Sequence, residues 1–152
     1  MMGKLKTVAT CLAIMMGSAS NADPNQYSPS DLECLVMNVY HESKGEDFKG
    51  KLAVAYTTLN RVRNDLFPKT ICNVVWQDNQ FSWTEMDGLT VDKQNINWTH
   101  SKLAAIVAMY GLEDDPTYGA LFFHANYIGR PKWTKNMRIT LRHGGHTFYT
   151  LG

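Results

Sequence analysis

An α+β fold, mainly helical in its N-terminal part with a small antiparallel sheet near the C-terminus, is what this 152-residue sequence predicts. Apolar residues recur at helical spacing before Gly111, and the segments after Gly119 read as extended runs. No repeat or low-complexity run divides the chain.

The first residues are set aside before any folding argument. Met1–Lys6 carries two lysines and no acid, Thr7–Gly17 is mostly apolar, and Ser18–Ala22 is small and polar before Asp23. That is the pattern of a secretory signal peptide, residues 1–22, cleaved after Ala22. Its apolar run of about 11 residues is too short for the roughly 20 that span a bilayer. A retained membrane-anchoring segment is the alternative, and Cys11 lies inside the apolar run, which argues against a lipoprotein cysteine. The expected product is one domain, residues 23–152, exported to the periplasm or the extracellular space, with no stable membrane anchor after cleavage.

Within that domain the elements follow in order. Ser28-Pro29-Ser30-Asp31 is a helix start, with Ser28 as cap, Pro29 at the first position and an acid in the first turn. Leu32, Leu35, Val36 and Val39 then form one apolar stripe, with Glu42 at its edge and Gly45 as the stop. A second helix is predicted from about Asp47 to Arg63, with Leu52, Ala55, Tyr56, Leu59 and Val62 inward, broken by Phe67-Pro68. Thr70 caps a short helix over Ile71–Gln77. Residues 78–96 are polar except for Phe81 and Trp83, and read as a long loop with at most a short hairpin. A third long helix runs from Trp98 or Thr99 to Tyr110, and extended segments are expected over Ala120–Tyr127, Met137–Leu141 and His146–Thr150.

Once Cys11 is removed, Cys34 and Cys72 remain as an even pair in an exported chain. A disulfide joining the first and third helices is expected, with two buried free thiols as the alternative. Charge is segregated: all 14 acidic residues precede Thr117, whereas Arg130, Lys132, Lys135, Arg138 and Arg142 follow it. The near balance of the whole excludes a nucleic-acid binder by charge, and the cationic C-terminal segment suits either an anionic polymer or a plain solvated sheet.

Glu42 carries the chemistry. A carboxyl at the end of an apolar stripe is placed to have its pKa lifted from ~4.3 toward ~6, as a general acid for sugar-bond cleavage requires. The competing reading is a helix-end glutamate paired with Arg61. A family resemblance bears on the choice. Asn38-Val39-Tyr40-His41-Glu42-Ser43-Lys44-Gly45-Glu46 resembles the N-x-x-x-E-A-R-G-E signature of the SleB-type cell-wall hydrolases, the spore-cortex-lytic enzyme family. Gly50–Val62, Phe67–Gln77, Gln80-Phe81-Ser82-Trp83, Ala120–Tyr127 and Gly145–Tyr149 resemble successive motifs of that family, in order and without large gaps. Ser43-Lys44, Asn73 and Trp76 depart mildly from its pattern, and no separate peptidoglycan-binding domain accompanies the match. The resemblance implies a lysozyme-like domain acting on peptidoglycan with Glu42 as catalytic acid, and no metal or other cofactor.

Further site residues are weaker expectations. Gln80, Ser82 and Trp83 pair polar groups with aromatic faces, as an amino-sugar site does, although a loop tucked onto the core has the same composition. His124 alternates with Phe123 and faces either the cleft or the interior; Tyr127 and Trp133 are available to stack on sugar. Glu46 is expected to accept backbone N–H groups at the start of the second helix, with Glu85 and Asp87 as other carboxylates for a two-acid hydrolase. Because none of these sits in a strong motif, cleavage by a lytic transglycosylase, with the muramic 6-hydroxyl as internal nucleophile, is favoured over a muramidase. An N-acetylmuramoyl-L-alanine amidase using His41, His124, His143 or His146 would be chelator-sensitive, but H-E-x-x-H is absent and Gly144-Gly145 separates the last pair. A cysteine endopeptidase needs a free thiolate. A non-catalytic peptidoglycan-binding protein would release no soluble fragments. A monomer is expected.

Overall fold

The computed structural model describes residues 26–152; the expected leader, residues 1–22, lies outside them. Four helices, α1 (Pro29–Glu42), α2 (Phe48–Arg63), α3 (Ile71–Val75) and α4 (Ile96–Met109), precede three strands, β1 (Phe122–Ala125), β2 (Met137–His143) and β3 (His146–Leu151). The strands form one antiparallel sheet in the order β1-β3-β2. The polar loop contains a 3₁₀ turn at Ser82–Glu85 rather than a hairpin, and the run expected to stay extended through Tyr127 gives way to a 3₁₀ turn at Asn126–Ile128. Among the described residues, no helix is long and apolar enough to cross a membrane.

The start of α1 is the predicted capping box: the Ser28 hydroxyl accepts from the Asp31 amide at 3.1 Å while the Asp31 carboxylate accepts from the Ser28 amide at 3.2 Å. Leu35, Val36 and Val39 bury its inner face. At its other end Ser43 closes the last turn by donating to the Val39 carbonyl through both its amide and its hydroxyl. Gly45 then takes φ +79°, a left-handed turn that a side chain disfavours. Cys34 and Cys72 are joined, with their Cα atoms 5.3 Å apart, tying α1 to α3.

Helix α2 is the axis of the molecule. Its expected inward face is buried apart from Val62, which is half-buried, but so are Lys51, Ala53, Val54, Thr57, Thr58 and Arg61. Helices α1, α3 and α4 pack against it, and every residue from Gly50 to Leu59 is buried, with Lys49 and Arg63 exposed near its ends. Most of its buried polar side chains find partners, although one guanidinium nitrogen of Arg61, Nη1, does not. Thr57 and Thr58 donate back to the carbonyls four residues earlier, and Lys51 Nζ donates to the Ser43 carbonyl at 2.9 Å. That buried ammonium therefore holds the C-terminus of α1, where the aligned peptide dipoles favour a positive charge.

Candidate active site

Glu42 is the last residue of α1, and it is half-buried where α1 ends against α2 and the polar loop. Burial raises its carboxyl from the ordinary 4.5 to about 7, and the nearby Arg61 guanidinium offsets part of that rise. No ion pair forms between the two, so the helix-end salt bridge considered from sequence is absent among the described residues.

Arg61 is held instead by aromatic rings. Its guanidinium carbon lies 5.3 Å from the Phe67 ring centre, 5.2 Å from that of Phe81 and 5.7 Å from that of Phe122. Nε donates to the Leu121 carbonyl at 2.7 Å, which attaches α2 to the lead-in of β1. Desolvation lowers its pKa to about 10 and Glu42 opposes that shift, so it remains a cation at neutral pH.

Glu42 opens into a cleft of ≈ 330 Å³ whose other walls are Asn79, Gln80, Ser82 and Glu85. A second hollow of ≈ 290 Å³ is lined by Asn79 and Gln80 as well, together with Arg61, Phe122, Phe123, Trp133 and Met137. Asn79 and Gln80 line both, so the two hollows adjoin at these residues as the two halves of a furrow, polar at the Glu42 end and aromatic at the other.

The loop that carries the polar wall is held from beneath. Asn38, fully buried on α1, donates to Thr58 Oγ1 on α2 at 3.1 Å and accepts from Trp83 Nε1 at 3.0 Å. The Trp83 ring also stacks on His41, with centroids 4.7 Å apart, and meets Trp76 edge-on. Ser82 is thereby left outside while Phe81 and Trp83 turn in.

The expected binding residues thus separate. Gln80 and Ser82 share the cleft with Glu42. Trp83 is 4 % exposed and serves as a floor beneath them. His124 is interior rather than on the cleft wall: Nε2 lies 2.9 Å from the Tyr149 hydroxyl and Nδ1 3.0 Å from the Ala125 carbonyl, and its ring stacks on Tyr149. Together His124 and Tyr149 meet Trp133 edge-on from behind. Tyr127 is 91 % exposed and lines neither hollow. Asn79 and Met137, which line the furrow, gave no sequence signal beyond their position in a turn and at a strand start.

Glu46 differs from its expected role. Asp47, not Glu46, caps α2 by accepting from the Gly50 amide at 2.9 Å. Glu46 reaches across to the β2–β3 turn, where it accepts from the Gly145 amide at 3.0 Å and sits 3.6 Å from His146 Nδ1. Beside it His143 Nε2 meets the Asp47 carboxylate at 2.7 Å. The histidines weighed as zinc ligands lie apart: His41 stacks on Trp83, His124 contacts Tyr149, His143 meets Asp47 and His146 stands near Glu46, with His41 Nε2 and His146 Nδ1 lacking a hydrogen-bond partner. Among the described residues no three His, Cys, Asp or Glu side chains converge as a metal site would require.

Comparison with known proteins bears on the family and the fold. The model of the cell wall hydrolase family matches residues 45–149. The spore cortex-lytic enzyme of Bacillus cereus is 33% identical over 125 residues, covering 82% of this chain and 46% of that protein. That of Oceanobacillus iheyensis is 36% identical over 132 residues, covering 87% and 46%. The chain spans about half the length of the curated relatives it matches. A match covering 82% of 152 residues necessarily takes in Glu42, which lies just before the stretch matched by the family model. Among solved structures, the catalytic domain of the Bacillus cereus SleB protein superposes with a TM-score of 0.69 at 30% identity, covering 88% of this chain and 100% of that one. The catalytic domain of the germination-specific lytic transglycosylase SleB from Bacillus anthracis gives 0.70 at 31%, covering 84% and 100%.

Proposed function

The chain belongs to the cell wall hydrolase family, and from that premise we propose that it cleaves peptidoglycan between N-acetylmuramic acid and N-acetylglucosamine as a lytic transglycosylase. The observation that carries the reading is Glu42, a carboxyl raised to about 7 at the polar end of a furrow. At neutral pH a large share of it is protonated, which is the state a general acid needs. The proton goes to the glycosidic oxygen as the bond from the muramic C1 to that oxygen breaks, and the N-acetylglucosamine leaves with a free 4-hydroxyl. The muramic 6-hydroxyl oxygen bonds to C1, and its proton returns to the Glu42 carboxylate. One residue, acid and then base, completes the cycle. The Bacillus anthracis relative is itself described as a lytic transglycosylase, which supports this form.

A second reading has one observation in its favour. Glu85 lines the same cleft as Glu42, so a hydrolysing muramidase with Glu85 activating water is the alternative. Mass spectrometry of digested murein separates the outcomes. Anhydromuramic ends are expected; reducing ends would move the assignment to Glu85-assisted hydrolysis, and freed stem peptides would overturn glycosidic cleavage altogether. Glu42→Gln should abolish release of fragments while the far-ultraviolet spectrum stays that of the parent. The substrate, the leader reading and the Cys34–Cys72 disulfide together support a site of action outside the cytoplasm, in the periplasm or the extracellular space.

A further inference from the structure

Resting on the reading of the furrow as a glycan site, we propose that the hollow formed by Arg130, Pro131, Lys132 and Lys135 binds the carboxylates of stem peptides on the same peptidoglycan strand. The hollow has a volume of ≈ 450 Å³. One short segment builds both hollow and furrow. Trp133, in the 3₁₀ turn Lys132–Thr134, lines the furrow, and the residues on either side of it line the hollow.

The segment is fixed rather than loose. Thr134 is fully buried; its hydroxyl donates to the Pro131 carbonyl at 2.8 Å and accepts from Arg130 Nε at 3.2 Å. Cationic heads are thus presented from a held backbone, with Arg130, Lys132 and Lys135 all exposed. None of them, nor Arg138 or Arg142 on β2, has a carboxylate within ion-pair distance among the described residues. All 14 acidic residues precede Thr117 in the sequence.

Such a cluster repels itself and is relieved by an anion held close to it. The sugar rings of a peptidoglycan strand are uncharged, whereas its stem peptides carry free carboxylates. A strand lying in the furrow with its scissile bond at Glu42 would run past Trp133 and bring a neighbouring muramic acid, with its peptide, toward the cations. The contact is remote from the reacting atoms, so a binding measurement without cleavage reads it.

The test uses Glu42→Gln as a non-cleaving background and reads co-sedimentation with insoluble walls, so it is independent of bond cleavage. Two wall preparations are compared, one with stem peptides and one stripped of them by an amidase, each also after acid removal of phosphate polymers. Adding R130Q, K132Q and K135Q should weaken binding to peptide-bearing walls roughly three- to tenfold, as three exposed charge pairs allow. It should leave binding to stripped walls unchanged, and raised salt should erase the difference. Equal loss on both preparations, or a loss that disappears once phosphate polymers are removed, overturns the proposal. Cleavage by the Glu42→Gln parent would instead count against the assignment of the acid, a separate result.

Discussion

At Glu42 two neighbours act in opposite directions. Removal from water disfavours the carboxylate, Arg61 favours it, and desolvation is the larger effect. The sign of the pH dependence follows. Below about pH 4.5 the group is protonated in both folded and unfolded chains and costs nothing. As the pH rises through about 7 the folded protein must ionise a partly dry carboxyl, and stability falls. One pKa unit is worth ~1.4 kcal/mol, so the full effect is on the order of 3 kcal/mol. Glu42→Gln, which cannot ionise, should therefore be more stable than the parent above pH 7 and should lose that advantage toward pH 4.5. Denaturant melts at a series of pH values read this directly, and a pH-independent difference would remove the raised acid. Catalysis by the protonated form should decline over the same upper range. The place of Glu42 at a helix end was legible from a helical stripe and a glycine stop, whereas the choice of an acid over a salt bridge rested on the family resemblance. Trp83 and His124 were not, because an aromatic or imidazole ring in a polar stretch has the same sequence neighbourhood whether it floors a cleft or walls it. What separates the two is a partner far along the chain: Asn38 for Trp83, Tyr149 for His124.

Among the elements, the α1–α2 corner and the β2–β3 turn behave as one piece. Glu46 and Asp47 face His146 and His143, and the Glu46 carboxylate occupies the space beside Gly144 and Gly145 where side chains would otherwise stand. Gly144 also holds φ +51°, so two separate constraints favour glycine there. Glu46→Ala should release the exposed Gly145 amide to water and cost about 0.5–1.5 kcal/mol, the usual net worth of one hydrogen bond. Faster hydrogen exchange at Gly145 with a lowered melting temperature is the expected readout, and an unchanged exchange rate would show that the corner is held by other means. The caps of α1 and α3 were readable from Ser28 and Thr70, because capping is local chemistry, whereas at α2 the role expected of Glu46 falls to Asp47. The burial of α2 on every side was not readable. Lys51, Thr57, Thr58 and Arg61 look like a solvent face, and only the partners supplied by the fold make them interior.

For the molecule as a whole, the order of helices then strands was enough to give the α+β class, since each run announces itself by its period. The furrow was not, because it joins residues 42, 79 to 85, 122 and 133 to 137, which no window of sequence brings together. The Cys34–Cys72 bridge spans a separation of 38 residues that takes in the end of α1, the acid and all of α2. Reduction should lower stability by about 2–4 kcal/mol, seen as an earlier thermal transition in the presence of a thiol. An identical transition with and without reductant would mean the bridge constrains little. The same covalent ring has a consequence for survival among proteases. Leu66 stands 69 % exposed in the link between α2 and α3, an inviting place for a cut. A chain nicked there would still hold together as one particle, parting into fragments only when the sulfur–sulfur bond is broken.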